Sequence, residues 1–237
     1  MSGSSLPPSI WIVIPCAGTG TRMQSESPKQ FLPFVDDLTL LEHVVNRFLI
    51  RKDVKGIVLA ANDLIKVKSL FKSNSRVNVI AGGISRTESV FNALKWLKKK
   101  ANNDDLIAIH DAARPCIRQS LLNKLFAKAQ FDSIILAAPC VQTVKTANPT
   151  SSIDKTLNRD TIYFAQTPQV FRFSLIFDAL KYVIEHRIDI TDDAQALETQ
   201  GLPVKLMLTN SENIKITYPS DLLIAQHIYQ LILKDND

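Results

Sequence analysis

The stretch Trp11-Ile-Val-Ile-Pro15, continued by Cys16-Ala-Gly-Thr-Gly-Thr-Arg-Met23 and Pro28-Lys-Gln-Phe-Leu-Pro33, constrains this chain more than any other. Apolar, mostly β-branched residues halted by a proline read as a buried parallel strand, because proline cannot donate to the ladder. Gly18 and Gly20 then let the backbone turn and present its N–H groups outward, as a phosphate-cradling loop does. Arg22 and Lys29 add the positive charge that such a loop lacks. Met23 stands where a dinucleotide site would need its third glycine, and no Gly-Lys-Ser/Thr follows to make a P-loop. Phosphate binding is expected; nicotinamide and ATPase readings are disfavoured.

The rest of the chain alternates strands with helices. Leu40, Leu41, Val44, Val45 and Phe48 repeat at helical spacing, and strands are expected at residues 56–61, 77–80, 106–109 and 133–139. Helices are expected over about 63–71, 87–100 and 120–130, the second opened by a Ser85–Glu88 capping box. Phe91 and Trp96 on that helix read as packing residues. Such alternation implies a mostly parallel sheet whose ligand site lies beyond the carboxyl ends of its strands. Pro15, Gly82, Asp111 and Pro139 all fall at such ends. Helices at about 174–185, 192–200 and 220–233, with short strands at 204–208 and 214–216, complete the fold.

The alternation breaks between Cys140 and Gln166, where Asn148-Pro-Thr-Ser-Ser152 is a strong turn signal. Two extended arms around it form a hairpin that is not stable alone, or else a mobile surface loop.

Composition narrows the class. At 237 residues one α/β domain is expected, spanning 1–237, with the hairpin at 140–166 as a subdomain. The net charge of +5 is modest and scattered, apart from Lys98-Lys-Lys100 at a helix end. That run reads as a solvated C-terminus favoured by the helix dipole, so no nucleic-acid partner is expected. Three cysteines, Cys16, Cys116 and Cys140, make no Cys-x-x-Cys pair, and an odd count argues against a disulfide framework. With no leader-like start and no apolar run near the roughly 20 residues that span a bilayer, a cytoplasmic protein without a membrane partner is expected.

The first loop resembles the signature of nucleotidyltransferases that load a sugar or polyol phosphate onto a nucleotide. Within them the chain is similar, nearly end to end, to the 2-C-methyl-D-erythritol 4-phosphate cytidylyltransferase family. The matching blocks are Gly82-Gly83 with Arg86 and Ser89, His110-Asp-Ala-Ala-Arg-Pro115, Asn158-Arg159, Gln166-Thr-Pro-Gln169, Ile190-Thr-Asp-Asp193 and Asn213-Ile-Lys-Ile216. The resemblance implies a Rossmann-like three-layer α/β domain with a mostly parallel, partly mixed sheet. It also implies a protruding β-hairpin arm that reaches across the two-fold axis of a homodimer.

The reaction so implied is attack by a polyol phosphate oxygen on the α-phosphorus of CTP, releasing pyrophosphate, in non-mevalonate isoprenoid precursor synthesis. Two anions must meet, so the demand on the protein is positioning and charge neutralisation, without a protein nucleophile or general base. Arg22, Lys29, Arg159 and Lys215 are the catalytic candidates. Nucleotide binding is assigned to Pro15, Cys16, Ala17, Gly18, Gly20, Gly82, Gly83, Arg86, Ser89 and Asp111, with backbone groups and Ser89 reading cytosine. The acceptor phosphate is assigned to Asp111, Arg114, Thr143, Arg159, Thr167, Thr191 and Lys215. A structural Asp111–Arg114 pair is the competing account of those two. Mg²⁺ is expected as cofactor, held mainly by the CTP phosphates, with no dedicated metal residue. Asp192 and Asp193 read as the acidic first turn of their helix rather than a metal site. The chain departs from the family pattern at Ile84, where an acidic residue is frequent, and at Thr21, where some relatives carry arginine.

Rival readings are a ribitol-5-phosphate cytidylyltransferase, which shares most loop residues, and a catalytically silent CTP-binding sensor. The sensor is disfavoured because Arg22, Lys29, Arg159 and Lys215 are all present. Block His110–Pro115 favours methylerythritol phosphate over ribitol phosphate.

Overall fold

A computed structural model describes residues 8–18, 23 and 27–237 of the chain. Gly20, Thr21 and Arg22, all singled out above, lie outside the described residues. The first strand, β1 (Ile10–Pro15), lies inside a seven-stranded sheet. It pairs in parallel with β4 (Val54–Ala61) on one side and β6 (Leu106–Ile109) on the other, and β5 (Val77–Ala81) extends the sheet beyond β4. Beyond β6 comes β10 (Tyr163–Arg172), antiparallel to both its neighbours, then β7 (Ile134–Pro139) and β11 (Lys205–Leu208) in the common direction. The sheet is therefore mostly parallel with one reversed strand inside it.

Both faces are covered, which the unbroken apolar composition of β1 requires. Ile10, Ile12 and Ile14 point to one layer, with α1 (Leu40–Leu49), α2 (Leu64–Leu70) and α4 (Gln119–Ala129). Trp11 and Val13 point to the other, with α3 (Arg86–Leu97), α5 (Phe173–Glu185) and α6 (Asp193–Glu198). A third cluster forms where α7 (Pro219–Lys234) packs on Phe34, Leu40 and Ile216. Gly56 has no side chain because Trp11 lies over it: a Cβ there would come within 2.6 Å of the indole.

Several expectations change. The reversed strand β10 is absent from the sequence reading, and residues 163–166, counted there with the arm, run inside the main sheet. What remains of the arm is a two-stranded hairpin of β8 (Lys145–Ala147) and β9 (Ile153–Thr156), whose turn is tied by Asn148 Oδ1 accepting from the amides of Thr150 and Ser152. A short hairpin of β2 (Pro33–Val35) and β3 (Leu38–Thr39) was also missed. Asp36 and Asp37 between its strands both take positive φ, 48° and 58°, the sign pattern of a type I′ turn. Residues 214–216 form no ladder; Ile216 donates only to the Ala113 carbonyl. The capping box is half made, since Ser85 Oγ accepts from Glu88 N while the Glu88 carboxylate takes the amide of Ile84 instead.

Candidate active site

The carboxyl ends of β1, β4, β5 and β6 share one rim, and the segments that leave them line a cavity of about 380 Å³. Its floor is Pro15–Gly18, held open by two amides from other segments. Gln30, buried, donates through Nε2 to the carbonyls of Cys16 (2.9 Å) and Gly18 (3.1 Å), and Asn62 Nδ2 donates to the Ala17 carbonyl (2.8 Å). These bonds fix the backbone of the floor. Gly82 is required by close approach, because a Cβ on it would meet the Ala17 Cβ at 2.6 Å. Ser89 Oγ accepts from Gly83 N at 2.9 Å and donates to the Ser85 carbonyl at 2.8 Å, so its hydroxyl is spent on the loop. Burial pushes the Cys16 thiol up to about 12, which leaves it protonated and no nucleophile.

Opposite this floor lies a cluster in which three cations face two carboxylates. Asp111 Oδ1 meets Arg86 Nε at 3.2 Å, and its Oδ2 meets Lys215 Nζ at 2.8 Å and Arg114 Nε at 3.6 Å. Arg86 reaches on with NH2 to Asp193 Oδ2 at 2.7 Å. Burial alone would raise the Asp111 carboxyl, but Arg86, Lys215 and Arg114 outweigh it and hold it far below the usual carboxylate range. A second cavity of about 180 Å³ opens on the far side of the cluster, lined by Arg86, Asp111, Arg114, Lys215, Thr167 and Thr191 among others. The two cavities share Arg86, Asp111 and Lys215.

The reversed strand supplies the wall of the second cavity. Gln169 pairs with Ile109, so Gln166 and Thr167 lie just beyond the end of β6. Thr167 Oγ1 accepts from the Asp111 amide at 3.0 Å and contacts His110 Nδ1 at 3.1 Å, while His110 Nε2 lies 2.9 Å from the Arg114 carbonyl. A carbonyl only accepts, so His110 carries its proton on Nε2 and accepts a hydrogen bond from the Thr167 hydroxyl at Nδ1. Asn213 closes the set: its Nδ2 donates to Gln166 Oε1 and to the Thr167 carbonyl, and its own carbonyl accepts from Arg114 NH1 at 2.6 Å.

Most of the residues singled out in the sequence therefore meet. Pro15, Cys16, Ala17, Gly18, Gly83, Arg86, Ser89, Asp111 and Lys29 line the larger cavity, and Arg114, Thr167, Thr191 and Lys215 the smaller. Lys29 Nζ donates to the Ile216 carbonyl at 2.9 Å, which ties the first loop to the segment carrying Lys215. Thr143 and Arg159 line neither cavity; both are exposed on the arm, with Arg159 NH1 donating to the Val141 carbonyl. Asp193 stands in the first turn of α6, as expected, and is fully buried there. The sequence reading missed Gln30, Asn62, Gln169 and Asn213. Three of these stood inside quoted blocks, where amide-rich composition next to charged residues was the available signal; Asn62 had none.

For a divalent cation the donor set gives a clear answer. Among the described residues no group of three or more His, Cys, Asp or Glu side chains converges, and the carboxylate common to both cavities already faces three cations. This donor set is compatible with a metal that arrives mainly on a ligand's phosphates.

Comparison with known proteins gives one consistent result. The family profile described as 2-C-methyl-D-erythritol 4-phosphate cytidylyltransferase matches residues 10–231. A protein of that name from Acinetobacter baumannii (strain AYE) is 39% identical over 225 residues, covering 93% of this chain and 94% of the relative. Another from Hahella chejuensis is 35% identical over 232 residues, covering 96% of each. Among solved structures, the Francisella tularensis enzyme of that name superposes with a TM-score of 0.82 at 31% identity, covering 93% of this chain and 99% of that one. The Thermus thermophilus structure gives 0.75 at 25% identity, covering 94% and 99%.

Burial of His110 generates a pH test. Desolvation pushes its imidazole down to about 4, against an ordinary 6.5, so the unfolded chain takes up this proton before the folded one does. Stability from the neutral imidazole is complete above pH 6.5 and is lost as pH falls towards 4, by about 3 kcal/mol in all. In urea unfolding from pH 7.5 to 4.5, His110→Asn is expected to show a shallower loss than wild type, by up to one proton. Parallel curves would show that His110 is not held neutral.

Proposed function

Because the chain belongs to the family of 2-C-methyl-D-erythritol 4-phosphate cytidylyltransferases, we propose that its larger cavity takes CTP and its smaller one the acceptor phosphate. The enzyme is a nucleotidyltransferase that moves CMP from CTP to 2-C-methyl-D-erythritol 4-phosphate and releases pyrophosphate. The observation that carries the assignment of cavities is the cation cluster standing between them: Arg86, Asp111 and Lys215 belong to both walls.

The chemistry follows from that placement. The acceptor phosphate, an anion near neutral pH, settles against Arg114 and Lys215, with the Thr167 and Thr191 side chains on the same wall. One of its oxygens attacks the α-phosphorus of CTP, the bond to the β-phosphate oxygen breaks, and pyrophosphate leaves with the electron pair. No proton need be moved and no covalent enzyme intermediate forms. Lys29, with Arg22 from the same loop, stabilises charge growing on the α-phosphate and on the departing pyrophosphate. Main-chain groups of the two glycine segments read the base; the Ser89 hydroxyl acts by holding Gly83 rather than by reaching cytosine. Mg²⁺ bound to the triphosphate supplies further neutralisation of charge. No helix among the described residues is long and apolar enough to cross a membrane. Three free thiols suit the reducing cytoplasm.

The arm is assigned to a homodimer. Arg159 and Thr143 face neither cavity of their own chain, and Val141, Ile153 and Phe164 around them expose 75%, 66% and 57% of their surface. A two-fold partner would bury this apolar surface and bring Arg159 to the acceptor phosphate of the opposite site.

Two experiments test these readings. Pyrophosphate release from CTP is expected with methylerythritol phosphate and not with ribitol 5-phosphate, and Lys29→Ala is expected to lower kcat roughly 10²–10³-fold with unchanged folding. A folded Lys29→Ala enzyme at wild-type turnover would remove Lys29 from the chemistry. For the arm, inactive Lys29→Ala and Arg159→Met proteins are mixed under conditions that exchange subunits. Half the dimers are then mixed and each regains one intact site, so activity is expected to rise to about a quarter of wild type. No recovery, once tagged pull-down has shown mixed dimers, would place Arg159 in its own chain's site or in none.

A further inference from the structure

Asp193 is the one member of the cation cluster that touches neither cavity. It is fully buried at the first turn of α6, and the turn itself is fastened to the reversed strand: Gln169 Oε1 accepts from the amides of Asp193 (3.1 Å) and Ala194 (3.0 Å), and Gln169 Nε2 donates to Asp192 Oδ2 (2.8 Å). Asp193 Oδ2 forms an ion pair with Arg86 NH2 at 2.7 Å, while neither carboxylate oxygen has a hydrogen bond of good geometry among the described residues. A first-turn acid that served only the helix dipole would sit in water. This one is sealed in and aimed at a guanidinium.

The consequence lies in the geometry of the next link. With its NH2 end held, Arg86 presents Nε to Asp111 Oδ1 at 3.2 Å and leaves Asp111 Oδ2 to Lys215 and Arg114. A guanidinium without that anchor would close on a carboxylate with two parallel N–H bonds, its preferred mode, and so compete for Oδ2. Lys215, two-fifths exposed on a flexible stem, would lose the contact that aims it.

Building on the cavity assignment above, we propose that Asp193 is a positioning residue for the acceptor phosphate. It clamps Arg86 so that one oxygen of Asp111 is kept for Lys215 and Arg114, which hold these two cations side by side on the acceptor wall. Acting through Arg86 and Asp111, which line both cavities, Asp193 sets the affinity for the polyol phosphate more than that for CTP.

The test is steady-state kinetics of the full-length enzyme with each substrate varied in turn, after circular dichroism and melting have established folding. Asp193→Asn is expected to raise KM for methylerythritol phosphate about tenfold, to change KM for CTP less than roughly twofold and to lower kcat only slightly. Arg86→Lys keeps the charge but cannot bridge two carboxylates; because Arg86 also lines the larger cavity, it is expected to raise both KM values and the acceptor's more, and it carries the test if Asp193→Asn does not fold. In the Arg86→Met/Asp193→Asn double variant, which leaves no unpaired buried charge, the acceptor KM is expected to be no worse than in Arg86→Met alone. Wild-type KM for the acceptor in folded Asp193→Asn or Arg86→Lys, an equal rise in both KM values, or additive losses in the double variant would overturn the proposal. Absence of pyrophosphate release by the wild-type enzyme would instead overturn the substrate assignment itself.

Discussion

The site rests on one carboxylate shared by three cations. Asp111 is nearly buried, and without it Arg86, Arg114 and Lys215 would confront one another across a few ångströms. Like charges 4 Å apart repel by about 4 kcal/mol at an effective dielectric near 20, so such a cluster cannot be assembled from cations alone. A reaction between two phosphate anions nevertheless needs concentrated positive charge. Asp111 reconciles the two requirements, because it holds the cations together in the empty site and leaves the cluster with a net positive charge for incoming phosphate.

The fold exists in a form that serves this cluster. Parallel strands deliver four loops to one rim, and the single reversed strand β10 enters that rim from the opposite direction. Its arrival brings Thr167 under the Asp111 amide and Gln169 against the start of α6, so the wall of the acceptor cavity and the anchor of Arg86 come from one strand. Neutral amides then do the fixing: Gln30, Asn62, Gln166, Gln169 and Asn213 tie loops to one another without adding charge to an already crowded site.

What could be read from the sequence was what is local. The first strand up to Gly18, the helical spacing of Leu40 to Phe48 and the rim position of Asp111 follow from periodicity and from turn chemistry, and the structure places them as expected. The reversed strand was hidden because Pro168 interrupts it and Gln166 and Gln169 break its apolar pattern, although both amides are buried and bonded. Residues 214–216 alternate like a strand, but the amides of Ile214 and Ile216 donate to the carbonyls of Glu212 and Ala113 rather than to a ladder. The first-turn place of Asp193 was legible, but its burial was not, for a related reason. Its partner Arg86 lies on a different helix, and an acid at N1 looks the same in sequence whether solvated or buried.

Direct transfer between two bound anions is the central claim, and it leaves an isotopic record. Methylerythritol phosphate carrying ¹⁸O in its non-bridging oxygens is turned over with unlabelled CTP, and the products are followed by ³¹P NMR. Direct attack is expected to place ¹⁸O in the oxygen that bridges the two phosphorus atoms of the product, and to leave the pyrophosphate unlabelled. A bridge free of ¹⁸O, or label in the released pyrophosphate, would contradict it.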